Sequence, residues 1–325
     1  MRFRNVALAV LVSSAALGAG RAVALDTVRL GNLKFAGYAA VSYMKAIGPK
    51  YGLRIEERVF PKGIDILPAI VAGQIDVGAS AVDGAIAGRA AGVPIYVVAG
   101  LFKGGVRIVG RPDMRWTSIA DLKGKRVAVA RGGAHELLLL AELDKHHLTY
   151  SDRPGKDVQI VYMAYADINQ ALLGKDIDAM CQSEPHASQA IRKGFGVEIL
   201  KPYDTPLGET PRTLVMTEEL YRKHPDVAQR FVDCFVEATR LFMEQPAVAE
   251  RFVREEMFKG QLTAQDYRDA IENSPFTFDV TVQQVQVSAD LMVRYGIGKM
   301  SRAPEATEFV KLDLLENAKR RAGLR

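Results

Sequence analysis

Short apolar runs alternate with longer stretches of helical period through the first two-thirds of the chain. "TVRLGNL" (27–33) reads as a strand, and "YAAVSYMKAIGPKYG" (38–52) as a helix closed by Gly52. "LRIEERVF" (53–60) is a second strand, "IDILPAIVAG" (64–73) a helix and "IDVGAS" (75–80) a third strand. A helix over "VDGAIAGRAAG" (82–92) and a β-branched strand over "PIYVVAGL" (94–101) continue the series. Strands separated by helical stretches predict βαβ units and a parallel sheet.

The alternation starts afresh after residue 111. In "SIADLKG" (118–124) Ser118 stands three residues before Asp121, a capping-box spacing. "RVAVA" (126–130) predicts a strand, "AHELLLLAELDKHH" (134–147) an amphipathic helix and "VQIVYM" (158–163) a strand. "DINQALLG" (167–174), "IDAMCQ" (177–182), "EPHASQAIRKGFG" (184–196) and "VEILK" (197–201) complete a second α/β block over roughly 111–205. Two phrases match across the blocks, "IVAGQIDVGAS" (70–80) and "LLGKDIDAMCQSEP" (172–185). Each ends a helix, passes a Gly, and opens a short strand with Ile-Asp. The likeness is too short for a solenoid and predicts two related α/β lobes. After "RTLVMT" (212–217) only helices are predicted, over 225–245, 246–258, 263–274, 282–296 and 304–318, with Pro225 suited to a first helical position. These helices are expected to cover the first lobe.

The first 24 residues change the charge balance. Arg2 and Arg4 precede an apolar run from Val6 to Leu17, and Ala22, Val23 and Ala24 form a small-x-small site. This predicts an export leader cut after about Ala24; its apolar run is shorter than the roughly 20 residues of a membrane span. The leader holds three arginines and no acid, so the formal net charge of +5 falls to +2 without it. The tail "KRRAGLR" is the one basic block left, and nucleic acid is excluded as a partner. The remaining chain suits two domains of ordinary size, soluble and globular. Cys181 and Cys234 are expected as buried free thiols, since spacing alone does not bring two Cα atoms within bridging reach.

Taken together, "GYAAVSYMKAIGPKYGL", "AIVAGQIDVGAS", "IADLKGKRVAVARGGAHELLL", "ALLGKDIDAMCQSEP" and "MTEELYRKHPDVAQRFV" resemble the solute-binding proteins of bacterial ABC importers for nitrate, sulfonates and taurine. That group is also related to thiamine-precursor binding proteins. The resemblance implies an α/β, two-lobed periplasmic-binding-protein fold, type II-like, with parallel-rich sheets flanked by helices, two crossovers and a helical C-terminal region. Residues 25–107 would begin the first lobe, 108–207 form the second, and 208–325 complete the first. A small-molecule ligand would sit in the interlobe cleft, and an ABC permease with its ATPase would receive it. The implied protein is a periplasmic monomer, closing about a hinge, with no cofactor and no metal.

In open α/β sheets ligands bind beyond the carboxyl ends of strands, so the residues after each strand are the candidate contacts. Arg131, Gly132, Gly133, Ala134 and His135 lie where "RVAVA" runs into a helix, whose free N–H groups suit an anion. Ser80 and Ala81 form the matching turn in the first lobe, with Asp83 read as a helix-start acid. Asn32, Phe35 and Tyr38 follow the first strand; Phe102 and Lys103 follow "PIYVVAGL". In the second lobe Tyr165, Asp167 and Glu184 follow strands, with Glu184 open to a ligand donor or to pairing with Arg131 or Lys103. Asp76 and Asp178 are assigned to turn and strand-start geometry. No P-loop, G-x-S-x-G or complete H-E-x-x-H occurs. The alternative is an enzyme of the same fold, of thiamine-precursor or chorismate-type chemistry, and the leader speaks against it. The sequence leaves sulfonate, taurine, nitrate, aromatic carboxylate and pyrimidine open as ligands.

Overall fold

A computed structural model describes residues 24–324, so the predicted leader lies outside the described residues except for Ala24. The chain begins with β1 (Asp26–Leu33), α1 (Ala39–Ile47), β2 (Leu53–Phe60), α2 (Ile66–Val71), β3 (Val77–Ala81), α3 (Val82–Ala90) and β4 (Ile95–Phe102). It then crosses into β5 (Val106–Gly110), β6 (Lys125–Val129), α4 (Ala134–Lys145), β7 (Tyr150–Ser151) and β8 (Val158–Tyr162). Next come α5 (Tyr165–Leu173), β9 (Ala179–Ser183), α6 (His186–Arg192) and β10 (Val197–Leu200), before β11 (Arg212–Thr217) crosses back. The first sheet has the order β2-β1-β3-β11-β4 and the second β10-β5-β9-β6-β8-β7.

The βαβ strands pair in parallel, β1 with β2 and β3, and β6 with β8 and β9. The strands that carry the chain between sheets do not. β5 runs antiparallel to β9 and β10, and β11 antiparallel to both β3 and β4. Hydropathy alternation leaves β5 and β11 unassigned, because neither is the middle of a strand-helix-strand repeat. Each follows a crossing and inserts into a sheet already built.

The repeated phrase is a strand-positioning device. Asp76 accepts the backbone N–H of Arg29 at 2.8 Å and returns its own N–H to the Arg29 carbonyl at 2.9 Å. Asp178 does the same with Arg126, at 2.8 and 2.9 Å. In both corners the arginine of the neighbouring parallel strand also donates to the carbonyl of the turn residue, Gly73 or Lys175. The left-handed position is therefore Gly73 (φ 65°) in the first lobe and Lys175 (φ 65°) in the second. Gly174, which the phrase suggests as the turn glycine, is right-handed (φ −74°).

Side chains on the second sheet alternate cleanly. Val109, Ala128 and Met180 face Ile168, Leu172, Ala187 and Ala190 of α5 and α6. Their neighbours Ile108, Val127, Val129 and Cys181 join the core that contains the leucines of α4. That helix was expected to keep a wet face, yet Ala134 to Leu143 is buried throughout. The sheet covers one side, and a C-terminal helix, α11 (Val282–Arg294), reaches the other. A helix enclosed on both sides has no room for a solvated stripe.

The C-terminal segment contributes α7 (Glu218–Lys223), α8 (Pro225–Glu244), α9 (Pro246–Arg251), α10 (Ala264–Asn273), α11 (Val282–Arg294), α12 (Ala306–Phe309) and α13 (Asp313–Arg321). α8 starts with Pro225 at its first position and buries Val227, Phe231, Phe235 and Phe242, spaced by four or seven residues, against α1 and α13. Each fully buried phenylalanine contributes about 1.5–3 kcal/mol. These helices do more than cover the first lobe. Arg192 of α6 donates to Asp266 of α10 at 2.6 Å, and Arg294 of α11 reaches Asp144 of α4 at 2.7 Å, so the tail grips both lobes.

The helix expected over 304–318 is split into α12 and α13. Val310 bridges Val97 in parallel, and the Lys311 N–H donates to the Val97 carbonyl at 2.8 Å. Further back the tail runs beside the same strand, with Gly100 N–H donating to Phe278 at 2.8 Å and Thr277 N–H to Leu101 at 3.2 Å. Gly100 has no space for a side chain, since a Cβ there would stand 2.3 Å from the Asp279 carbonyl oxygen. Cys181 and Cys234 are buried and free. Burial raises the Cys234 thiol to about 12 and moves that of Cys181 in the same direction, so both are inert.

Candidate functional site

A cavity lies between the two sheets, walled by the carboxyl ends of strands from both. Leu33, Phe35, Tyr38, Ser80, Ala81 and Asp83 come from the first lobe with Lys62 to Ile64, and Arg212 stands where β11 re-enters it. Ala130 to His135, Tyr165 and Ser183 supply the facing wall. The walls touch. Phe35 meets Tyr165 edge to face with centroids 5.4 Å apart, and a Cβ on Gly132 would stand 3.1 Å from the Ile64 side chain. The free space is about 30 Å³, room for only one or two waters.

His135 is the centre of a hydrogen-bonded chain on the second wall. Its Nε2 lies 3.0 Å from Ser183 Oγ and its Nδ1 2.8 Å from the Tyr165 hydroxyl. Burial, and secondarily the Arg212 charge, hold its pKa well below the ordinary histidine value, so the ring is neutral. A serine beside a histidine at this distance has the geometry of a nucleophile and base. Here the partner that orients the ring is a tyrosine, and the nearby guanidinium disfavours the imidazolium that general-base catalysis must form. The chain is suited to holding a polar ligand group.

Arg212 is 2 % exposed. Its Nη1 donates to the Thr210 carbonyl at 2.6 Å, and its guanidinium stands 5.4 Å from the centroid of Phe102. Nη2 is buried without a hydrogen-bond partner among the described residues. Asp83, at the start of α3, is 8 % exposed, and its Oδ1 is likewise unpartnered. Burial raises the Asp83 pKa to about 6, with Arg212 and the N–H groups of Asp83 and Ala134 pulling the other way. Tyr38 is buried against Phe102 at 4.9 Å, and burial raises its hydroxyl pKa despite Arg212.

Ten of the residues expected at the site line the cavity, namely Phe35, Tyr38, Ser80, Ala81, Arg131, Gly132, Gly133, Ala134, His135 and Tyr165. Two of them offer less than expected. The Gly132 N–H already donates to Glu136 Oε2 at 2.6 Å, and the Ser80 hydroxyl donates to the Ala81 carbonyl at 3.1 Å. Arg131 is pinned at the rim, 3.6 Å from the centroid of Tyr162 and 3.1 Å from Asp152.

The other five stand elsewhere. Asn32 is buried behind the wall and ties Ser42 to Glu57, at 2.9 and 2.8 Å. Phe102 lies one layer back, beneath Arg212 and Tyr38. Lys103 belongs to the turn at the crossing, its N–H donating to the Pro275 carbonyl at 3.2 Å, and does not line the cavity. Asp167 is an exposed acid in the first turn of α5. Glu184 pairs with neither Arg131 nor Lys103 but with Arg107 at 2.8 Å, both nearly buried, because β5 places that arginine beside the end of β9.

Sequence reasoning missed Arg212 and passed over Asp83. Each carried a signal, an arginine opening the wholly buried strand "RTLVM" and a single acid at the head of the small apolar stretch "VDGAIAG".

Two α/β sheets exchanging the chain twice, with a cavity between their strand ends, define a two-lobed binding-protein architecture. The chain belongs to the NMT1-like family, whose model matches residues 22–254. It is 24% identical over 337 residues to a Brachyspira hyodysenteriae protein provisionally named as an ABC transporter periplasmic binding protein, covering 96% of this chain and 95% of that one. Its fold matches the periplasmic aliphatic sulphonate binding protein SsuA of Escherichia coli, with a TM-score of 0.74, 22% identity, and coverage of 88% and 92%. It also matches the periplasmic nitrate-binding protein NrtA of Synechocystis, with a TM-score of 0.75, 16% identity, and coverage of 91% and 89%. The fold is that of the periplasmic binding proteins.

Proposed function

We propose that this chain is the solute-binding component of a bacterial ABC importer, a periplasmic monomer released from its leader after about Ala24. It captures a small organic anion between lobe 1 (25–107 and 208–325) and lobe 2 (108–207) and delivers it to a permease driven by its ATPase. The observation that carries this reading is the buried guanidinium of Arg212, with one donor unspent, in a cavity shared by both lobes. A charge held out of water needs a partner, and an anionic ligand supplies it. The anion-binding role expected of the Gly132 turn passes in this reading to Arg212, because Glu136 holds the Gly132 N–H. The names of the relatives support the transport role, and the touching walls support capture by opening and closing about the two crossings.

A thermal-shift screen of alkanesulfonates, carboxylates, nitrate and pyrimidines tests it. A ligand at a hundred times its Kd stabilises by about 2.7 kcal/mol. Arg212→Gln removes that gain if the anion meets the guanidinium. No stabilisation by any anionic probe overturns the reading.

A further inference from the structure

Arg212 and Asp83 share one cavity and carry opposite unspent capacities. Among the described residues, Arg212 Nη2 is a donor without an acceptor in hydrogen-bond geometry, and Asp83 Oδ1 an acceptor without a donor. Both side chains belong to residues more than nine-tenths buried. Leaving one buried group of this kind unmatched is unfavourable, and more so for a charged group. They feel each other's charge, yet among the described residues they form no ion pair to cancel the two demands. Leu33, Phe35, Ile64 and Ala130 line the same cavity. The remaining acid nearby, Glu136, is engaged by the Gly132 N–H and the Tyr162 hydroxyl. Arg131 is engaged by Asp152, and Lys62 is exposed.

Resting on the receptor reading above, we infer that the ligand is two-ended, a short acid whose anionic head meets Arg212 and whose amine or hydroxyl donates to Asp83 across an apolar spacer. A simple alkyl anion satisfies the guanidinium and leaves the carboxylate unmatched, with like charge facing it. An inorganic anion does the same. A zwitterionic or hydroxylated acid satisfies both ends at once, and the His135–Ser183–Tyr165 chain adds groups able to accept or donate beside the spacer.

Calorimetry with matched probes tests this directly. The pairs are 2-aminoethanesulfonate with ethanesulfonate, 3-aminopropanoate with propanoate, and the corresponding hydroxy acids with the same simple acids. Within at least one pair the donor-bearing member is expected to bind about tenfold tighter or more, the scale of one charge-assisted hydrogen bond. In Asp83→Asn that ratio falls to about threefold or less, whereas Arg212→Gln weakens both members of the pair alike. Equal or tighter binding of the simple acid, or a ratio untouched by Asp83→Asn, overturns the inference and leaves the receptor reading standing. Binding of no probe by the wild-type protein overturns the inference. If the wider anion screen is also blank, the receptor reading falls with it. Circular dichroism of both variants establishes that each is folded.

Discussion

The two lobes use one corner and then diverge. At the start of β3 and of β9 an aspartate ties down the neighbouring strand's arginine backbone with the same pair of bonds, at 2.8 and 2.9 Å in both lobes. At the far ends of those strands the acids differ. Glu184, after β9, is neutralised by Arg107, whereas Asp83, after β3, faces the cavity with an oxygen unpartnered. The shared half of the phrase builds sheets. The half that differs is where one lobe has closed its charge balance and the other has left it open to a third party.

The largest test is to unbalance the closed acid. Arg107→Met leaves Glu184 buried without its cation and should cost about 3–5 kcal/mol in urea unfolding at pH 7.5. Burial already raises the Glu184 pKa against the pull of Arg107, so part of that loss should return as the pH is lowered and the carboxyl takes a proton. A loss under about 1 kcal/mol would show that the two acids are not in different electrostatic states.

The corners themselves should be equivalent. Asp76→Ala and Asp178→Ala each remove charge-assisted bonds to a strand N–H, so each should cost about 1.5–3 kcal/mol, with the two values close. Markedly unequal losses would break the equivalence.

Neutralising the open acid should stabilise the protein, where uncovering the closed one destabilises it. The folded-state pKa of Asp83 is raised from 3.8 to about 6, so the folded protein holds a proton there that the unfolded chain releases. Stability from this group therefore falls as pH rises from about 4 to about 6, and the loss is complete above that. Asp83→Asn should stabilise the unliganded protein by about 1–3 kcal/mol at pH 7.5, and the gain should vanish near pH 4. Thermal melts at the two pH values check it; a destabilised variant at pH 7.5 would mean the carboxylate has partners after all.

The smallest expected effect sharpens the corner comparison. Lys175 occupies the left-handed position that Gly73 holds in the other lobe, and its exposed ammonium pairs with Asp113 at 2.9 Å. Lys175→Gly relieves backbone strain of about 1 kcal/mol and gives up an ion pair worth less than that, for a net gain of a few tenths of a kcal/mol. Chemical denaturation with matched slopes resolves it.

Much of the fold was legible because period and punctuation agree. β2 was read to the residue, Pro225 opens α8 as expected, and the Ser118–Asp121 capping box is present in both halves. The two crossing strands escaped because each inserts antiparallel after a crossing, outside any strand-helix-strand repeat. The buried face of α4 escaped because what covers it comes from residues 282–294, far along the chain. The site divided in the same way. Turns after parallel strands were visible as glycines and small polar residues, and most of them do line the cavity. Arg212 was passed over although it opens an apolar strand, since its importance depends on β11 returning to a sheet built more than a hundred residues earlier. Which lobe's acid is neutralised was equally hidden, because Arg107 lies on the other unassigned strand.

The run of the tail beside β4 has a consequence for the life of the unassembled chain. β4 is an edge strand whose eight residues are all buried and, Tyr96 aside, without polar side chains, the composition that recruits other chains edge to edge. Residues 275–279 and 310–311 occupy its outward backbone groups, and Gly100 admits them at a separation no other residue permits. Until those last segments are in place, the first sheet presents an adhesive border. The last sixth or so of the chain thus acts as a hem on the sheet, and its arrival marks the point at which a newly made molecule stops being prone to self-association.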